Sequence, residues 1–306
     1  MGTSVGIIGT GWVGASVAIS TLHAGIADEL LLHDLNGALA EGEAMDLAHG
    51  AAFRPSCAVR TAELDAMRDA TVVVVAAGRG GRAGESRLDL LRDNARVVAE
   101  IGGRLAGFGG TVVMVTNPVD VLVRVMAQAS GLPAARVLGT GTMLDTARLR
   151  QMLGTHLDLA PGSLHAQVIG EHGDSEVVLW SSATAGGVPL RAWPGWRTED
   201  ETRLAHEVRV AAYEIIRRKG ATNHAIGLVT ADLLRALLRD ERRVLAVSRV
   251  QDGAMGLHGA ALSLPTVVGG DGGTQVLEPA MDASERAALA RSAQVLADAW
   301  APLAAG

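Results

Sequence analysis

The sequence predicts an α/β protein in two parts, a doubly wound parallel sheet over residues 1–140 and an α+β half over 141–306. Three observations carry that prediction. Short, continuous β-branched runs alternate with segments of 3.6-residue periodicity over the first part. Such alternation marks βαβ units, whose strands are buried on both faces and whose crossovers are right-handed. A glycine-rich turn follows the first run directly, and the rhythm breaks after about residue 140.

The runs "SVGIIG" (4–9), "LLLHD" (30–34), "TVVVVAA" (71–77) and "TVVMVT" (111–116) are each the length of a buried strand. Between them, residues 12–24 and 87–108 have helical periodicity. Beyond residue 140 the pattern predicts a helix from 144 to about 155 and a strand over 164–169. A long amphipathic helix over 198–219 comes next, then strands in "RRVLAVSRV" and "GAALSLPTVVG" and a closing helix over 284–300. No repeat or low-complexity linker separates the parts, so they are expected to share one interface.

With 306 residues, 48% of them apolar, the chain can bury a large core. A net charge of −6 argues against nucleic acid or an anionic membrane as partner. The single cysteine, Cys57, excludes an internal disulfide framework. The N-terminus has no basic leader and no apolar run reaches the roughly 20 residues of a membrane span, so a cytoplasmic protein is expected.

"GTGWVG", residues 9–14, ends the first strand and opens a helix. Gly9 permits a tight turn, Gly11 lets the backbone approach a pyrophosphate, and Gly14 allows the helix to pack closely on the strand. Asp34 ends the next strand, where a carboxylate accepts hydrogen bonds from an adenosine ribose. The same charge would repel a 2′-phosphate, and Leu35 and Asn36 supply no arginine to hold one. The cofactor expected is NAD rather than NADP, on a Rossmann fold.

Polar residues cluster in "GESRLDLLRDN" (84–94), "TNPVD" (116–120), "LDTARLR" (144–150) and "GEHGDS" (170–175). Reducing a ketone requires a hydride donor, a proton donor near neutral pH and a group that holds the substrate in line. Histidine suits the second task when a carboxylate fixes its tautomer, and arginine suits the third because its planar fork binds carboxylate. Asp145 and Arg148 are three apart, on one helical face. One could turn to His172 while the other reaches a substrate, or the two could simply pair along a solvated helix.

These segments, with "KGATNHAIG" and "AVSRVQDGAMG", resemble in order and spacing those of the L-lactate and malate dehydrogenase superfamily, nearly end to end. "GEHGDSE" and "GGVPL" are closer to lactate than to malate dehydrogenases, and the short lead before the first strand resembles bacterial L-lactate dehydrogenases. The resemblance implies an NAD-dependent oxidoreductase that interconverts 2-oxo and L-2-hydroxy acids. It makes His172 the proton donor, Asp145 its orienting partner, Arg148 the clamp on the substrate carboxylate and Arg87 the group that polarises the carbonyl from a lid over 78–86. Asn117 and Thr222 would contact substrate, and the cofactor site would extend to Trp12, Val13, Ala77, Gly78 and Asn117. It also implies a homotetramer or homodimer.

The pattern departs at the specificity position of the lid, six residues before Arg87. Lactate dehydrogenases usually carry glutamine there and malate dehydrogenases arginine; here it is Gly81, flanked by Arg79 and Arg82. Three substrates stay open: pyruvate, a bulkier 2-oxo acid filling the space, or a dicarboxylate reached by Arg82. Arg150 and His165 match positions where bacterial lactate dehydrogenases bind fructose 1,6-bisphosphate between subunits, though each also suits a plain structural place. A non-catalytic NAD-binding module would not need His172, Asp145, Arg148 and Arg87 together. No H-E-x-x-H or paired cysteine indicates a metal site, and "GRGGRAGES" lacks the ending of a triphosphate-binding loop.

Overall fold

The computed structural model describes residues 2–53, 57–81 and 87–304, without the side chain of Arg87. The first part runs β1 (Ser4–Ile8), α1 (Trp12–Ala24), β2 (Glu29–His33), α2 (Gly37–Ala51), β3 (Ala58–Thr61), β4 (Val72–Val75), α3 (Arg87–Arg104), β5 (Thr111–Met114), α4 (Val119–Ser130) and β6 (Val137–Gly139). The second part begins with α5 (Met143–Leu157) and short strands β7 (Leu164–His165), β8 (Val168–Ile169), β9 (Val177–Val178), β10 (Thr184–Ala185) and β11 (Val188–Pro189). It continues through α6 (Thr198–Lys219), α7 (His224–Leu238), β12 (Arg243–Asp252), β13 (His258–Gly269), β14 (Gly272–Val276) and α8 (Ala283–Ala304).

Among the described residues one nine-stranded sheet spans both parts, in the order β14-β13-β12-β6-β5-β4-β1-β2-β3. The six strands of the first part are parallel, and β12, β13 and β14 extend them antiparallel. The four valines of β4 show why the sheet is covered on both sides. Val73 and Val75 enter a core with α3, α4 and α8, while Val72 and Val74 enter one with α1, α2 and α7. Alternate side chains of a strand point to opposite faces, so a continuous apolar run needs a helix layer on each. A third core, containing Leu149, Leu153, Trp180 and Leu204, lies within the second part.

Two expected elements differ. The helix predicted to reach Phe108 stops at Arg104. The chain turns at Gly107, whose φ of +74° suits glycine, and Phe108 folds back into the core. The strand expected over 164–169 divides into β7 and β8, which pair with β10 and β9 in separate small sheets. The break falls at Ala166, whose carbonyl accepts a hydrogen bond from Arg150 Nε at 3.0 Å.

Strand order reverses between β1 and β4, so the crossovers leaving their C-terminal ends diverge and open a crevice there. Gly9 has φ +92°, and a Cβ on it would lie 2.5 Å from Ala77 N; one on Gly14 would lie 1.8 Å from Gly9 O. Gly11 has no atom near its Cβ position within 4 Å. Gly14→Ala should therefore destabilise the fold by about 1–3 kcal/mol through overpacking, whereas Gly11→Ala should stay within about 0.5 kcal/mol of the parent. Chemical denaturation of the two variants checks the contrast; equal losses would mean that the turn gives way more easily than its packing indicates.

Candidate active site

The crevice at the strand ends has the geometry that a dinucleotide needs. Asp34, just past β2, accepts hydrogen bonds on Oδ2 from Thr10 N at 2.8 Å and on Oδ1 from Asn36 N at 2.9 Å. The carboxylate is thus fixed beside the glycine turn, with lone pairs left for a ribose. Trp12 and Val13 open α1, and the open space at Gly11 leaves its backbone approachable. Across the crevice, Ala77 O accepts from Thr116 Oγ1 at 2.7 Å, and a Cβ on Gly78 would meet Thr116 Cγ2 at 2.5 Å. Buried Asn94 ties this wall together, donating to the carbonyls of Arg79 and Asn117 and accepting from Arg79 N. The Asn117–Pro118 peptide is cis, and Asn117 Oδ1 accepts from Val119 N at 3.2 Å. These features fit NAD: close backbone packing where glycines stand, and a carboxylate where a ribose would lie.

The second part brings three predicted residues together. Asp145, on the first turn of α5, has 2% of its side chain exposed. Its Oδ2 is 2.5 Å from His172 Nδ1, and its Oδ1 accepts from Arg148 Nη1 at 2.8 Å. The pairing of Asp145 with Arg148 is real, but it is buried against the histidine rather than solvated, since only 13% of the Arg148 side chain is exposed. Burial works against the His172 imidazolium, yet the Asp145 carboxylate in contact and the Asp120 carboxylate behind it outweigh that and raise His172 to about 9. Burial likewise opposes ionisation of Asp145, but His172 and Arg148 hold its carboxyl below the usual range.

The main chain carrying His172 is fixed from several elements. Gly170 exchanges two 2.9 Å hydrogen bonds with Ser263 of β13. Thr142 Oγ1 donates to Val168 O at 2.5 Å, and Thr146 Oγ1 accepts from Val168 N at 3.0 Å. Ser292 of α8 accepts from Glu171 N at 2.8 Å. Asp120 of α4 accepts from His172 N at 2.7 Å on Oδ2, while its Oδ1 is buried without a partner. Burial pushes the Asp120 carboxyl up to about 6, against the lowering effect of the His172 N–H. The motif "TNPVD" contains Asp120, but nothing in the sequence distinguishes a carboxylate that anchors a distant backbone N–H from an ordinary helix N-terminal acid.

Other expected site residues lie apart from this cluster or beyond it. Thr222 is half-buried in the link between α6 and α7, where Asn223 Nδ2 donates to Ser16 Oγ at 3.0 Å. Gly81 is exposed, and a Cβ on it would meet Leu90 Cδ2 at an ordinary 3.5 Å. The guanidinium of Arg79 is paired with Asp93 at 2.7 Å. Arg82, residues 83–86 of the lid and the Arg87 side chain lie outside the described residues. Arg150 is half-buried at Ala166 O, and His165 is exposed on β7 beside it.

Comparison with known proteins agrees with this arrangement. Residues 3–139 match the lactate/malate dehydrogenase NAD binding domain, and residues 142–305 the alpha/beta C-terminal domain of the same family. The L-lactate dehydrogenase of Salinibacter ruber is 44% identical, the match covering 99% of this chain and 98% of that protein. That of Thermus aquaticus is also 44% identical, over 98% and 99%. The crystal structure of the minor L-lactate dehydrogenase from Enterococcus mundtii superposes with a TM-score of 0.95 at 38% identity, covering 97% of each chain. The lactate dehydrogenase MGS-M5 from a deep-sea metagenome library gives 0.94 at 36% identity, covering 98% of each. With both domains of the family matched and relatives 44% identical over nearly the full chain, this protein belongs to the lactate/malate dehydrogenase family.

Proposed function

We propose that this NAD-dependent L-2-hydroxy acid dehydrogenase reduces pyruvate or a bulkier monocarboxylic 2-oxo acid, with His172 as proton donor. The observation that carries the proposal is Asp145, buried and shared between His172 Nδ1 and Arg148 Nη1. With Nδ1 committed to the carboxylate, Nε2 is the nitrogen left to hold the proton for a substrate oxygen. Arg148 uses one nitrogen on Asp145 and keeps donors for a substrate carboxylate. Bound NADH supplies the hydride. Arg87 would polarise the carbonyl, Asn117 and Thr222 would contact substrate, and Gly81 would leave space over its side chain. A dicarboxylate substrate is not favoured, because the relatives described above are named lactate dehydrogenases.

His172→Ala should lower kcat for reduction by about 10²–10⁴-fold with NADH binding retained, and Asp145→Asn should lower it too. A raised histidine keeps its proton at neutral pH, so reduction should hold its rate there and fall as pH climbs through about 9. Stopped-flow rates of NADH oxidation test both statements. Turnover near normal in either variant, or a rate that rises through pH 9, would remove His172 from the role.

Substrate range would be set at Gly81, where a Cβ would make only ordinary contact with Leu90 among the described residues. Gly81→Gln should raise kcat/KM for pyruvate and penalise branched or longer acids, since each methylene buried in the parent is worth roughly 0.8 kcal/mol. Gly81→Arg should favour oxaloacetate. A 2-oxo acid panel on the three proteins gives the answer, and identical selectivity in all three would show that the residue does not face substrate.

We further propose a homo-oligomer, supported by exposed Trp12 and Ile19 on α1 and Leu228 on α7, with fructose 1,6-bisphosphate bound between subunits at Arg150 and His165. Bisphosphate should then lower the KM for the 2-oxo acid and shift sedimentation towards the tetramer, because a ligand moves an equilibrium by its differential affinity for the two states. No change in either quantity at millimolar effector rejects this.

A further inference from the structure

Glu176 has no part in the reaction as described, yet it is 6% exposed and its Oε1 is buried without a hydrogen-bond partner. It stands just before β9, four residues after His172. The charges that face it are Asp145 and Arg148 of α5, His172 of its own loop and Arg209 of α6. Tyr213 OH, one helical turn beyond Arg209, donates to Asp174 Oδ1 at 2.9 Å and fastens α6 to the same turn. Even so, the buried Nε of Arg209 has no partner, and no ion pair joins it to Glu176. An ionised carboxylate in such a place would be strongly disfavoured. Burial, and then the charge of Asp145, push Glu176 up to about 8, against the pull of Arg209, His172 and Arg148. At neutral pH the acid is neutral and needs no counter-ion.

Resting on the reading that Arg148 seats the substrate carboxylate, we propose that Glu176 must carry its proton for that carboxylate to bind, which makes it a positioning residue for Arg148. Arg148 already gives one nitrogen to Asp145. An ionised Glu176 would add a second buried negative charge to this cluster, offset the pull of Arg148 and repel the incoming anion. The effect falls on binding, hence on KM, while proton delivery stays with His172.

Glu176→Gln keeps the shape and stays neutral at every pH. With NADH saturating, kcat/KM for pyruvate in the unaltered protein should begin to fall near pH 8 and steepen above 9, as first Glu176 and then His172 lose protons. The variant should show the second fall only. Near pH 7 the two should agree within about threefold, and at pH 9.5 the variant should lead by more than about tenfold through a lower KM, since each pH unit above a pKa is a tenfold loss of the protonated form. Thermal unfolding without cofactor gives an independent readout. A carboxyl raised on folding favours the folded state less as pH rises, so the unaltered protein should lose Tm relative to the variant from about pH 4.5 to about 8, and no further above that. Parallel pH profiles with parallel unfolding curves would overturn the proposal, as would a divergence in kcat instead of KM. If the unaltered protein reduces no 2-oxo acid at all, the functional reading fails and this inference falls with it.

Discussion

A carboxylate removed from water stays ionised only when each oxygen finds a compensating donor, and Asp145 depends on that rule. His172 takes one oxygen and Arg148 the other, and separating a buried ion from its partner costs about 3–5 kcal/mol. The backbone around it must therefore be held to within hydrogen-bond tolerance. That explains why Thr142, Thr146, Asp120, Ser263 and Ser292, drawn from α4, α5, β13, α8 and the approach to α5, all end on the few peptide groups between Val168 and His172. Four polar side chains and the main chain of Ser263 thus fix the position of one imidazole.

The cofactor crevice uses a different kind of constraint. Contact distances at Gly9, Gly14 and Gly78 leave no volume for a side chain: backbone meets backbone at the first two, and at Gly78 it meets the Thr116 and Asn94 side chains. The His172–Asp145–Arg148 cluster needs satisfied charge, and the glycine-lined crevice needs absent atoms. They meet because the parallel strands end in the crevice and β13, which pairs with the His172 segment, belongs to the same sheet.

Much of this was legible in the residues. Strands made only of valine and isoleucine, such as β4, have no polar face and must be covered twice. The helix over 198–219 has Glu199, Asp200 and Glu201 in its first turn, Arg217, Arg218 and Lys219 in its last, and Gly220 as its cap, so its limits are written locally. Helix α4 has similar marks, Asp120 in its first turn and Gly131 in the left-handed region at its end, but its first half alternates valine with other residues as a strand would, which conceals it. The division of 164–169 depended on Arg150, fourteen residues upstream of that segment, reaching a carbonyl. Asp120 and Glu176 were hidden for the same reason. Their importance comes from neighbours far away in the chain, which no local pattern records.

The sheet that runs through both parts also limits how the protein can be taken apart. Strand β6 is bordered by β5 on one side and by β12 on the other, and a Cβ on Gly141 at the seam would lie 2.1 Å from Ser263 Oγ. Cutting the chain near residue 140 would leave the first part with a bare strand edge and uncover the apolar side chains that α7 and α8 now shield. Exposed edges of that kind recruit other chains. The family's two sequence modules are therefore poor units for separate expression, and a fragment holding the dinucleotide crevice alone would sooner aggregate than bind.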